Sequence, residues 1–475
     1  GHTAAASGEE AAAVGFDVDA DGNQSCAIGV ASVASADDAV AIGASNSAAE
    51  LAAAIGGANN AAGTSSAAIG YGNSSSGDNS TAIGYGNSAT GEDAISLGNG
   101  NSASANAAIA IGDGNQASAA NAISIGDGNQ ASAANAMAIG RDNTAPANNC
   151  ILIGANNATN SACINNQLFG LYNFGNATSF SAVAVGLLNN SVGSTLNLND
   201  GVITGTPSVH DTIGRLSAAV GVFNRAEGNF AVAVGLYNNI PGESGIGVGS
   251  TNTVDGPGAA AFGNENTTNG QQALALGTNN QASTLGIAQG YNNVAGTGTD
   301  VTLVGYGNFG NGNSHGLVCL GVMNNQSGAS YLTNTGLHDG TLAAATTIGK
   351  SAIAVGHTNL TPGNLSCAIG FNNNANAIST YLFGQSNVSS GQSAYVIGQL
   401  NTNTGNRACL IGNSNAGTGN GAYAYGFNNT VDGENSLAVG RSNVVTAAIS
   451  MAFGADNTSS AANSLAVGSD NLAAA

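Results

Sequence analysis

The stretch Ala122-Ile123-Ser124-Ile125-Gly126, followed by Ala136-Met137-Ala138-Ile139-Gly140 and Cys150-Ile151-Leu152-Ile153-Gly154, decides how this chain must be read. The same small–apolar–small–apolar–Gly phrase returns every fourteen residues, with closing glycines at 70, 84, 98, 112, 126, 140 and 154. A second unbroken run puts them at 356, 370, 384, 398, 412, 426, 440, 454 and 468. A fixed period this short predicts stacked coils of one winding sheet. With Gly15 and Gly29 included, thirty closing glycines give thirty coils in one continuous β-solenoid over residues 1–475. At one strand spacing per coil, the rod is expected to be on the order of 140 Å long.

Within each coil the residue before the glycine is large and apolar, as at Ile111, Ile125, Ile139, Val185, Phe262 and Val439. The residue two before is small, as at Ala110, Ser124, Ala138, Ala184, Ala261 and Ala438. Alternation of period two means a strand with large groups on one face and small groups on the other. A strand apolar on both sides must be covered on both sides. The second half of the coil, such as Gln130 to Asn135, is small and mostly polar, and is expected as an outer, water-facing strand over one face. A coil of this length cannot cover the other face. The simplest cover is another copy of the chain, so the pattern predicts an oligomer.

Asparagine stands three residues after every closing glycine from Gly43 to Gly468, including Asn73, Asn87, Asn101, Asn115, Asn129 and Asn143. An amide both donates and accepts, so stacked copies can bond to each other and to turn backbone that would otherwise go unpaired. These residues are expected to form a structural ladder.

Composition narrows the function classes. Glycine is 72 of 475 residues, tryptophan is absent, and 43% of the chain is hydrophobic with only 7% charged. Such a chain can fold around a thin core of small side chains, unlike a disordered one. Lys350 and five arginines face 26 acids, giving a formal charge of −20. That balance argues against nucleic acid and against an anionic membrane surface. No run of about twenty apolar residues offers a transmembrane helix. The opening Gly1-His2-Thr3, without an initiator Met, reads as a processed or trimmed product. Cys26, Cys150, Cys163, Cys319, Cys367 and Cys409 have no metal spacing. They read as small buried hydrophobes, and only Cys150 and Cys163 are placed to meet within the chain.

The period breaks twice. Between Gly186 and Gly221, and between Gly321 and Gly356, the spacing rises to 35 residues, and the two breaks lie 135 residues apart. An older duplication of about ten coils explains that offset. The insertions, at about residues 190–217 and 325–352, are expected to emerge as hairpins or loops, the second looser than the first. They place Asn199, Asp200, His210, Tyr331 and His338 on the surface as candidate binding residues, or as braces between neighbouring chains. Elsewhere, Asp17-Val18-Asp19-Ala20-Asp21-Gly22-Asn23 matches the first half of a calcium loop, but its twelfth position is Ile28. Asp17, Asp19 and Asp21 therefore read either as calcium ligands or as an acidic capping turn. Beyond calcium no cofactor is implied. Serine and histidine are scattered without a nucleophile elbow, and no enzyme is expected.

The phrase Ser80-Thr81-Ala82-Ile83-Gly84-Tyr85-Gly86-Asn87-Ser88-Ala89-Thr90-Gly91-Glu92-Asp93-Ala94-Ile95-Ser96-Leu97-Gly98 resembles the head repeats of YadA-like trimeric autotransporter adhesins. The resemblance covers nearly the whole chain. It implies a left-handed parallel β-roll, a homotrimer and an extracellular or cell-surface location. It also implies adhesion to host cells, matrix or neighbouring cells, with no membrane insertion by this segment. The chain departs from that family in showing no coiled-coil stalk and no barrel strands, and in the uniformity of its asparagine. It is still repeating at Ala475, as a fragment or an end-to-end stacking subunit would be. The leading expectation is an adhesive surface fibre. The alternatives are a self-polymerising filament and a phage receptor-binding fibre.

Overall fold

The computed structural model describes residues 3–162, 164–176, 179–196, 203–209, 213–311, 314–332, 337–344 and 347–474. Among them every helix or strand element is a β-strand. They fall into two compact units, Gly1–Glu243 and Ser244–Ala475, and each is a parallel β-solenoid of fifteen long strands, thirty coils in all.

One coil shows how the period becomes structure. The chain runs through the short strand Gln116–Ala117, turns at Asn121 with φ 57°, and enters the long strand Ile123–Asp127. It turns again at Gly128 with φ 64°. Both turns need the left-handed region, which explains why Gly, Asn, Asp and Ser crowd these two slots. Long strands pair in parallel and in register, Ile109 with Ile123 and Gly112 with Gly126. The corners are paired as well, with Asn121 N–H donating to Asn106 C=O at 3.0 Å and Gly128 N–H to Asp113 C=O at 2.9 Å. Main-chain groups thus find partners in the neighbouring coil even at the corners.

The glycine that closes each long strand is fixed by close approach. Gly126 has φ 123°, and a Cβ placed there would overlap the carbonyl oxygen of Gly140 in the next coil. The second half of the coil is less strand-like than the sequence suggested. Of residues 130–135 only Gln130–Ala131 is strand, with Ala131 pointing inward, because a fourteen-residue coil spends the remainder on its turn.

The small row faces in. Ala108, Ala110 and Ala117 are fully buried, and alanines from Ala82 to Ala145 make up most of the core through this part of the first unit. Larger core residues are compensated seven positions later. In the second unit the buried Leu410 is matched by Gly417 and Leu382 by Ser389, while Ala424 and Ala438 are matched by Val431 and Val445. A Cβ at Gly417 would lie 2.9 Å from Leu410 Cδ2, so the glycine makes room for the leucine.

Each unit carries one antiparallel hairpin at the broken period, Ser191–Leu196 with Ile203–Val209 and Gln326–Leu332 with Leu337–Ala344. Ser191 pairs Val209 as Gln326 pairs Ala344, and Thr195 pairs Thr204 as Ser330 pairs Asp339, every residue shifted by 135. The register slips at corresponding places, between Val192 and Ser194 and between Ser327 and Ala329. The second insertion is therefore as regular a hairpin as the first, contrary to the looser form expected, and the shared bulge supports the duplication.

Candidate interaction surface

The asparagine ladder organises the corner after the glycine. Asn129 Nδ2 donates to Asn115 Oδ1 at 3.0 Å, to Ile125 C=O at 3.0 Å and to Gly140 C=O at 2.7 Å. Its Oδ1 accepts from Asn143 N–H at 3.1 Å and from Asn143 Nδ2 at 2.9 Å. Asn73, Asn87, Asn101, Asn115 and Asn143 are buried in the same arrangement. The ladder also crosses the hairpins, since Asn224 Nδ2 donates to Asn189 Oδ1 and Asn359 Nδ2 to Asn324 Oδ1. Its amides are consumed internally, so this row is framework and offers nothing to a ligand.

The large rows face out. Ile83, Val185, Phe262 and Ile397 stand just before a closing glycine, and each is exposed by 36–43% in the single chain. Ile246, Ile353 and Met451, two positions earlier on the same face, are exposed by 38–40%. Each unit therefore presents a largely apolar sheet face, interrupted in the second unit by Gln289, which is the surface a soluble single chain has least reason to leave bare. A row of aromatics that the sequence reading missed adjoins it. Tyr71 and Tyr85, directly after closing glycines, stack with ring centroids 5.6 Å apart, and Tyr291 and Tyr306 do so at 5.4 Å. Reading successive coils as columns would have revealed these pairs.

The insertion residues are only partly placed. Asn199, Asp200 and His210 lie outside the described residues. Tyr331 and His338 are brought together as backbone partners across the second hairpin. The acidic N-terminal stretch is not assembled as a ligand set: among the described residues no three His, Cys, Asp or Glu side chains are grouped to hold a metal. Asp17 sits at a turn with φ 53° and accepts from Thr3 Oγ1 at 3.4 Å. Asp21 lies past the next strand and accepts from Ser7 Oγ at 2.8 Å, while Asp19 lies between the inward-facing Val18 and Ala20. The coil path spreads the three carboxylates over separate positions, and two of them bond between coils instead.

Titration is shifted by burial and not by charge clusters. Burial pushes the Cys319 thiol up to about 12, partly offset by the hydrogen bond from Asn325 Nδ2 at 3.3 Å. Burial also lowers the pKa of His357, whose ring stacks on Phe371. Cys26, Cys319, Cys367 and Cys409 are free thiols; Cys163, the one expected partner of Cys150, lies outside the described residues.

Comparison with known families agrees with this geometry. The model of the YadA head domain repeat (2 copies) matches residues 20–46, 61–87, 75–101, 89–115, 103–129, 117–143, 213–238, 269–286, 418–443 and 450–471. The chain carries YadA-like head repeats. The matched YadA-like segments occur in both units. No curated relative matches the chain.

Proposed function

We propose that this chain is a surface-presented adhesin head whose bare apolar face is covered by two further copies of itself. The observation that carries the reading is the outward row of large side chains, repeated coil after coil beside an interior already filled with alanine. A cover for that row must repeat with the same rise over many coils. A second winding of the same sequence does so by construction, and threefold association is what the YadA-like repeats imply. Closing the apolar face leaves the corners and short strands, which are polar and acidic, as the surface displayed outward at the cell exterior. Repeats of this type belong to structural, non-enzymatic proteins. The role that follows is presentation and attachment.

The test is mass in solution by light scattering. The full chain is expected at three times its own mass. Ile125→Asp combined with Ile139→Asp is expected to shift the population towards single chains while circular dichroism keeps its β-signal. A folded chain that runs at its own mass at micromolar concentration would remove the interface. In parallel, beads coated with the chain are expected to attach to cell layers, and failure on every surface tried counts against adhesion.

A further inference from the structure

One recess in the second unit lies at the rim of the apolar face, and neither that face nor the framework uses its polar side chains. It has a volume of about 410 Å³ and is built from the same corner of four consecutive coils. Gln392, Asn406, Asn420 and Glu434 occupy one slot of that corner, and Arg407, Gly421 and Asn435 the next. Tyr423, at the start of the long strand Tyr423–Phe427 and in the same outward row as Met451, forms the wall nearest the apolar face. Gly421 is buried between exposed neighbours and has φ 66°. Its missing side chain opens the floor, since a Cβ there would stand 2.5 Å from Asn435 Oδ1.

The corner is held rigidly. Gln392 N–H donates to Asn406 Oδ1 at 2.8 Å and Asn406 N–H to Asn420 Oδ1 at 3.1 Å. Each of these amides spends its oxygen on the backbone, which fixes the side chain and leaves its NH₂ as the donor for a ligand. Among the described residues neither Arg407 nor Glu434 has an ion-pair partner, although both line the recess. Their charges cancel, in a chain of net charge −20 that repels polyanions. There is no apolar floor to anchor a lipid or a peptide side chain. What remains is a rigid array of planar donors and acceptors, repeated at the coil rise, beside an aromatic ring. That array suits an uncharged ligand with many hydroxyls, because each hydroxyl both donates and accepts.

We propose that this recess binds a neutral oligosaccharide, an inference that rests on the reading of the chain as a surface-presented head and names a ligand class for it. The test is retention of the full chain on an array of neutral oligosaccharides ending in glucose, galactose, mannose, fucose or N-acetylhexosamine, with sialylated and sulfated forms alongside. Binding to at least one neutral structure is expected. Arg407→Gln and Glu434→Gln, both exposed and conservative in shape, are each expected to weaken it about tenfold or more. Gly421→Asn fills the floor with a residue that tolerates positive φ, and is expected to abolish binding with the β-signal retained. Asn135→Ala, at a comparable corner of the first unit, is expected to change nothing.

Retention on acidic glycans only, on none, or equally by all variants would overturn the proposal. The bead assay separates this failure from that of the wider reading. Beads that attach to cells without any neutral glycan being retained leave the adhesin reading standing and remove the recess. Glycan retention by a chain whose beads attach nowhere does the reverse.

Discussion

Two stretches of core solve one packing problem differently. In the coils closed by Gly84 to Gly140, the two inward positions seven residues apart are Ala82 with Ala89, Ser96 with Ala103, Ala110 with Ala117, Ser124 with Ala131 and Ala138 with Ala145. In those closed by Gly384 to Gly440 they are Leu382 with Ser389, Val396 with Asn403, Leu410 with Gly417, Ala424 with Val431 and Ala438 with Val445. The first stretch repeats one solution, and the second exchanges large for small across the interior. What stays constant is the backbone frame set by the glycine row and the asparagine ladder; the pairs it encloses are larger in the second stretch, up to Leu382 with Ser389 and Val396 with Asn403, than in the first. Within each stretch, the size of one inward residue limits the size of the other.

The largest effect should come from confusing the two kinds of glycine. Gly126→Ala drives a Cβ into the Gly140 carbonyl at a φ that side chains avoid, and no side chain can move to relieve it. A local loss of about 4 kcal/mol or more is expected, read as collapsed hydrogen-exchange protection in the adjoining coils. Gly417→Ala meets only side chains, closest the flexible end of Leu410 and then Asn403 Oδ1 at 3.3 Å, and should cost about 1 kcal/mol. Equal losses at the two sites would show that volume is not what distinguishes them.

Next in size is the exchange itself. Leu410→Ala should destabilise its coil by about 2–5 kcal/mol by opening a cavity. Adding Gly417→Val recreates the Ala424–Val431 arrangement and should recover most of that loss. The reverse graft is smaller. Ala110→Leu should overpack the alanine stretch by about 1–3 kcal/mol, and Ala117→Gly, which removes a single methyl, should relieve part of it. Double variants no better than the sum of their singles would break the idea of a shared volume.

The winding was legible because its signal repeats: the Ala-Ile-Gly phrases fix strand, inward face and register together, and each of thirty copies confirms the rest. The asparagine row was legible for the same reason. The hairpins were visible as broken period, yet the regularity of the second was not, because Tyr331 to Asp339 lacks a recognisable two-residue turn. The recess at Arg407 and Glu434 was invisible along the chain. Its residues are fourteen apart and unremarkable singly, and only stacking brings them into one wall. Of the two readings of the three N-terminal aspartates, the calcium loop follows the chain and ignores where the coil turns, whereas Asp17 does stand at a turn.

The smallest expected difference lies in the ladder, where the two stretches are alike. Asn129 and Asn415 each donate to the preceding asparagine and to two carbonyls, and each accepts from the following asparagine. Replacing either with Ala should cost about 1–3 kcal/mol, seen as matching losses of exchange protection in its own and the neighbouring coils. Matching losses would separate the framework from the cores it encloses; a larger loss beside Leu410 would couple them. The first rung supplies a finer probe. Ser32 takes the asparagine slot there, its Oγ donating to Gly43 C=O at 3.2 Å and accepting from Asn46 N–H at 3.4 Å. Asn129→Ser should therefore retain part of what Asn129→Ala loses, because a hydroxyl can still make one bond of each kind. A serine no better than alanine would mean that the amide's reach, spanning two carbonyls at once, is the property on which the ladder depends.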